Sequence, residues 1–270
     1  MSLRMLPLSM DAGAVAQVDA RLEAVRTGDG VRILLAIESG SRAWGFPSPD
    51  SDYDCRFLYL RKAEDYMALF PQRDVIETPL DGEMDVNGWD LQKALKLLLK
   101  GNAVVIEWLT SPIVYEGDAF FRESMLRLAQ SVADRALIGR HYLHLGERQR
   151  NTYFKDGKEV ALKKIFYALR PAAALRWLRL HPDKAVAPMH FPTLMLEIDA
   201  PRTLTRIVSD LVEQKAVTRE LGKGPLPSAI SAFVDKEFEA ARKMFDKGAT
   251  PMRHEAVLLA EEFFRAAVSC

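Results

Sequence analysis

The chain has 270 residues, 49% hydrophobic and 27% charged, and 37 Lys and Arg balance 37 Asp and Glu to a formal net charge of zero. This is the composition of an ordinary globular protein long enough for a sizeable core, organised as two compact units. A neutral total excludes a chain that grips nucleic acid by bulk charge alone, so a nucleic-acid substrate has to be argued from a local site. Cys55 and Cys270 are the only cysteines, which gives no disulfide framework and no zinc spacing and points to a reducing cytoplasm. Residues 1–10 lack the apolar core of a secretory signal, and no apolar run reaches bilayer-crossing length, so neither secretion nor a membrane span is expected.

Residues 11–26 carry Val15, Val18, Leu22 and Val25 at helical spacing before the Gly28-Asp29-Gly30 break, predicting a leading helix. Residues 31–37 form a continuous run of aliphatic side chains bounded by turn signals, a buried strand that feeds directly into Gly40-Ser41. Residues 41–45 fit a short helical turn and 46–51 a Pro/Ser loop. Residues 53–60 read as a strand with Asp52, Asp54 and Arg56 on one face and Tyr53, Cys55, Phe57 and Tyr59 on the other. A short helix is predicted over 63–70, a weak strand over 75–78, a turn at Asp81-Gly82 and a third strand around Asp85. Asp90 then caps a helix over 91–99 that Gly101-Asn102 stops. A further helix over 103–109 ends at Ser111-Pro112. From Asp118 onward the pattern is helical: 120–130, 132–154, 158–180 with Pro171 expected to kink it or start a new segment, 201–221, 228–245 and 254–268. The break near 112–118 divides the chain into a unit of residues 1–112 and a helical unit of residues 113–270.

The pair Asp52 and Asp54 is the feature that suggests chemistry. Two carboxylates in i, i+2 register on a strand share a face about 6–7 Å apart, a spacing that can hold divalent metal. Phosphoryl and nucleotidyl transfer need metal ions to neutralise developing charge and donors to hold the phosphate tail. Two magnesium ions roughly 3.5–4 Å apart can share bridging carboxylates, so a third acid from a neighbouring strand would complete a minimal site. Asp85, flanked by Met84 and Val86, fits that role, with Asp90 as the competing choice; Asp90 already has a use as a helix cap. Gly40 allows close backbone approach, and Ser41 with the adjacent amides supplies phosphate donors.

Strand, Gly-Ser, loop, Asp-x-Asp and a later apolar-flanked Asp resemble the nucleotidyltransferase fold of the DNA polymerase beta superfamily. Gly40-Ser41-Arg42-Ala43-Trp44-Gly45, Ser51-Asp52-Tyr53-Asp54, the segment Asn87-Gly88-Trp89-Asp90, Gly101-Asn102 and Glu107-Trp108-Leu109 are similar to a bacterial group of predicted nucleotidyltransferases associated with RNA repair operons. The likeness extends into Lys163-Lys164-Ile165-Phe166-Tyr167-Ala168-Leu169-Arg170-Pro171 and is not traceable motif by motif beyond. It implies an α/β (α+β) core with a mixed sheet over residues 1–112, followed by an all-helical carboxy-terminal domain. It also implies a nucleoside triphosphate such as ATP as substrate, two Mg2+ ions (Mn2+ as the alternative) on Asp52, Asp54 and Asp85, and triphosphate contacts from Gly40 and Ser41. An RNA end would be the acceptor.

Other residues carry two readings each. Arg42 serves the triphosphate or is a solvated turn residue, and Arg56 pairs with a carboxylate of its own face or meets a substrate phosphate. Trp44 and Trp89 are expected to pack, Glu107 and Trp108 to anchor the interface between the two halves, and Lys93, Lys96 and Lys100 to lie on a solvated face. The densest basic stretch is Arg148, Arg150, Lys155, Lys158, Lys163, Lys164 and Arg170. Within it Lys163, Lys164, Tyr167 and Arg170 share a helical face that would contact nucleotide or nucleic-acid phosphates. A small-molecule or protein acceptor, or a non-catalytic RNA- or nucleotide-binding protein, are the rival functions.

Overall fold

A computed structural model describes residues 2–154, 159–219, 221–245 and 251–269. The expected helix start at Lys158, together with Lys155 and Cys270, lies outside the described residues. The leading helix α1 (Ala12–Gly28) is capped by Asp11, which accepts from the amide of Ala14 at 2.8 Å. Strand β1 (Arg32–Glu38) follows, then the short helix α2 (Gly40–Trp44) and β2 (Tyr53–Leu60). Helix α3 (Ala63–Tyr66), β3 (Val75–Glu77), β4 (Met84–Asp90), α4 (Leu91–Leu99) and α5 (Ala103–Thr110) complete the expected succession.

The chain then makes a strand that sequence reasoning did not read. β5 (Val114–Gly117) falls on the composition break at 112–118 and pairs antiparallel with β1. Four residues are too few for an alternation signal to stand out from a loop. The described residues give a five-stranded mixed sheet in the order β3-β4-β2-β1-β5, with β2 and β4 parallel and the other pairs antiparallel.

The two faces of the sheet are covered differently. On one, Val15, Val18, Leu22 and Val25 of α1 pack on Tyr53, Cys55, Phe57, Tyr59, Val86 and Tyr115. Phe57 lies across the backbone of Gly88, where an added Cβ would sit 2.1 Å from the ring. On the other face, Leu35, Ile37, Leu58 and Leu60 join a core that continues through α4 and α5 into the helical half. Along this face β2 changes from Asp54 and Arg56 to Leu58 and Leu60. The apolar end is covered, and the polar end is left for a cleft.

The helical half contains α6 (Ala119–Val132), α7 (Arg135–Tyr153), α8 (Ile165–Leu180), α9 (Phe191–Glu197), α10 (Arg202–Val217), α11 (Ser228–Phe245) and α12 (His254–Ser269). A two-strand ribbon pairs β6 (Val160–Ala161) with β7 (Lys223–Gly224). Two expectations need correction. The stretch read as one helix over 132–154 breaks at Ala133, and Asp134 caps α7 through the amides of Ala136 and Leu137. The helix expected from 158 begins at Ile165, after a 3-10 turn Leu162–Lys164. Of the two readings for Pro171, it does not start a new segment: it lies inside α8, buried, with its ring near Gly146 of α7. Helix α9, of seven residues, was not read at all.

The two halves are joined by a buried ion pair. Glu107 of α5 and Arg170 of α8, both about nine-tenths buried, meet at 2.5 Å, and Tyr142 of α7 donates to Glu107 at 3.2 Å. Trp108 stacks on Trp89 with centroids 4.1 Å apart. Removing one member of such a pair strands the other charge in the core. Glu107→Ala is therefore expected to lower the unfolding free energy by about 3–5 kcal/mol in denaturant titration. Glu107→Leu combined with Arg170→Met should recover most of that loss.

Candidate active site

The cleft is built at the polar end of β2. Gly40 opens α2 at φ +63°, a left-handed conformation that glycine adopts without penalty. Its bare Cα faces Asp54 so closely that an added Cβ would lie 2.1 Å from Oδ2. Glycine is required here for two reasons, backbone conformation and room for the carboxylate. Parallel pairing of β2 with β4 sets Asp54 directly opposite Asp85 and Arg56 opposite Asn87. Asp52 sits just before β2, exposed.

A polar cavity of about 230 Å³ opens on these residues. Gly40, Ser41, Asp52 and Asp54 line it from the sheet, with Ser48, Asp50 and Ser51 from the loop. Lys163, Lys164, Tyr167 and Lys215 line it from the helical half. Ser41 Oγ lies 2.8 Å from Ser51 Oγ, which is 3.0 Å from Ser48 Oγ. Lys163 meets Asp50 at 3.2 Å, and the Lys164 ammonium lies 4.7 Å from the centroid of the Tyr167 ring. Two cavities of greater volume, about 450 and 430 Å³, lie against α12 and have mostly apolar linings.

Not every expected residue reaches the cavity wall. Arg42 turns to the loop, donating to the carbonyls of Ser51 at 2.6 Å and Asp52 at 3.1 Å while stacking 3.9 Å over the Tyr53 ring. It holds the loop that carries Asp52. Arg170 is turned into the core, where it pairs with the buried carboxylate of Glu107 and lies 4.2 Å over the Trp44 ring. Asp85 is held by Arg56 at 2.6 Å and accepts from the side-chain Nδ2 of Asn87. The same guanidinium reaches Asp54 at 3.4 Å. Asp90 accepts from Tyr66 at 2.9 Å and from the amide of Gln92 at 2.7 Å, so it serves α4 as a cap.

Sequence reasoning missed Glu38 and Lys215. Glu38 is fully buried at the end of β1; it accepts from the amide of Asp54 at 2.9 Å and from the Tyr115 hydroxyl. Burial pushes its carboxyl up to about 8, against the opposing effect of those two hydrogen bonds. Burial also raises Asp54; Arg56 offsets this, while Asp85 and Asp52 add to it. Glu38 was invisible because its role depends on Tyr115, supplied by the unread strand β5. Lys215 comes from α10, in a region with no motif to mark it.

The donor set consists of hard carboxylate oxygens suited to magnesium or manganese. Among the described residues no group of three His, Cys, Asp or Glu side chains converges as a ready metal cluster. Asp52 and Asp54 both line the cavity, where their carboxylates are the donor type a hard divalent cation takes. Asp85 stands opposite Asp54 in register but is paired with Arg56 and does not line the cavity.

The folded-state value of Glu38 lies above the usual 4.5, so the folded chain holds the proton through a window in which the unfolded chain has lost it. This contribution to stability is fully present below about 4.5 and is lost as pH rises to about 8. Its slope approaches about 1.4 kcal/mol per pH unit. Glu38→Gln should flatten that decline relative to the parent chain, measured as denaturation midpoints between pH 5 and 8.

A model of the RNA repair pathway DNA polymerase beta family matches residues 15–264. The chain is 40% identical over 219 residues to the uncharacterized protein YcgL of Bacillus subtilis (strain 168), covering 81% of this chain and 83% of that one. A solved nucleotidyltransferase-like protein from Exiguobacterium sibiricum 255-15 aligns over 93% of this chain and 79% of its own at 11% identity, with a TM-score of 0.30. The family match reaches from α1 into α12, well past the segment where motif likeness ends, so the helical half is part of the family's plan and not an addition to it. The chain belongs to the RNA repair pathway DNA polymerase beta family and is a nucleotidyltransferase.

Proposed function

We propose that the chain transfers a nucleoside monophosphate from a nucleoside triphosphate to an acceptor hydroxyl at an RNA end, releasing pyrophosphate. It would do so in the cytoplasm, with two magnesium ions held by Asp52, Asp54 and Asp85. The observation that carries this reading is the placement of Asp52 and Asp54 on the wall of the cavity that Gly40 and Ser41 also line, with Asp85 in register on β4. Magnesium, when bound, would neutralise phosphate charge and acidify the attacking hydroxyl.

The rest of the work falls to the chain itself. Ser41 and the amides of its turn donate to phosphate oxygens, and Lys163 and Lys164 face them from the helical half. Arg42 fixes the loop that presents Asp52, and Glu38 fixes the backbone of Asp54 from behind. Arg56 neutralises Asp54 and Asp85 until a nucleotide and its cations arrive. Trp44 and Tyr167, 6.2 Å apart edge to face, give the cavity an aromatic flank for a base or ribose. The RNA acceptor is supported by the pathway of the family.

Incubation with magnesium, labelled triphosphates and RNA pools tests the reaction. Asp52→Asn and Asp54→Asn should each reduce transfer at least a hundredfold while leaving the circular dichroism spectrum intact; turnover surviving both substitutions would overturn the assignment. Gly40→Ala should be nearly as damaging, because its methyl displaces the Asp54 carboxylate, and the loss should persist at saturating triphosphate. RNA affinity should fall steeply with salt; a flat dependence would redirect the search to a small-molecule or protein acceptor.

A further inference from the structure

One charged side chain in the cleft is accounted for by neither the Gly-Ser turn nor the carboxylates. Lys215, near the end of α10, is 4% exposed yet lines the same cavity as Ser41, Asp52 and Asp54. Its ammonium donates to the carbonyl of Phe46 at 2.5 Å and lies 5.2 Å from the centroid of that ring. An ammonium has three N–H donors, and this carbonyl is its one hydrogen-bond acceptor among the described residues. Among the described residues no carboxylate pairs with it: Asp50, the acid that acts on it from a distance, is in contact with Lys163.

A buried ammonium with a single neutral partner is costly, and apolar packing around it would be cheaper if its only task were to hold a loop. Lys163 and Arg42 both add repulsion, and burial pushes Lys215 down to about 8. Asp50, on the wall of the same cavity, is in contact with Lys163 and acts on Lys215 only from a distance, and Ser41 provides a hydroxyl on that wall. An anion with several oxygens would supply acceptors for the unused N–H groups of Lys215.

We propose that Lys215, with Lys163 and the Ser41 hydroxyl, binds the phosphates of the nucleotide beyond the first, so that the helical half selects triphosphates over monophosphates. This rests on the nucleotidyl-transfer reading above and deepens it. Lys215 is the residue through which α10 belongs to the active site, and it would hold the departing pyrophosphate.

The test is equilibrium binding of ATP, AMP and inorganic tripolyphosphate to the full chain and to Lys215→Met, with thermal denaturation in parallel. Lys215→Met should weaken ATP and tripolyphosphate at least tenfold and leave AMP within twofold of the parent, while Lys215→Arg should retain most of the ATP affinity. If the methionine variant does not fold, Lys215→Gln carries the same comparison. Equal losses for ATP and AMP would reduce Lys215 to a support for the Phe46 loop and overturn the proposal, as would unchanged ATP affinity. In either case, parent protein that still transfers nucleotides would leave the broader reading standing. A parent chain that binds neither ATP nor tripolyphosphate and transfers nothing would overturn both.

Discussion

Parallel pairing of β2 with β4 places Asp54, on the wall of the cleft, opposite Asp85. A one-residue slip would turn every side chain of one strand to the other face, exchanging the polar cleft wall for Tyr53, Cys55 and Phe57. Those residues are locked under α1, and Phe57 lies across Gly88, so the core on the far side of the sheet fixes the register on which the near side depends. Packing and chemistry are coupled through a single strand.

Gathering carboxylates creates a charge problem, and the surrounding residues limit it. Arg56 contacts Asp54 and Asp85 from the same strand face. Glu38, which would add a further negative charge beside them, is held in an environment that favours its neutral form. It can therefore brace the Asp54 backbone without opposing the binding of phosphates. The opposite wall carries the cations Lys163, Lys164 and Lys215, so the cavity is polarised from the sheet to the helices. A polyanionic nucleotide with bound divalent cations matches that polarity.

The helical half does more than cover the sheet. Arg170, which the basic motif places with the phosphates, is used instead as a structural tie to Glu107, and its guanidinium also supports Trp44 at the cavity edge. α10 reaches back through Lys215 to the loop between α2 and β2. The apolar core runs continuously from β1 into α12, and β5 returns the chain to the sheet after residue 112. Any movement of the helices would therefore be transmitted to the residues that line the cavity.

By itself the sequence determined the features that depend on local periodicity and turn chemistry. These were the order α1-β1-α2-β2, the glycine-serine turn, the shared face of Asp54 and Arg56, the cap at Asp90 and the helical character of the carboxy-terminal half. Strand alternation has a period of two and helix caps act over three or four residues, so such features are encoded within short windows. Only the tertiary structure decided which strand lay opposite β2, that β5 existed, that Arg170 faced inward, and that Glu38 and Lys215 belonged to the cleft. Each of these depends on contact between residues far apart in the chain: Glu38 with Tyr115, Glu107 with Arg170, Phe46 with Lys215. Buried charges are assigned by the partners they meet in the fold, and the sequence around Glu38 or Lys215 carries no record of those partners.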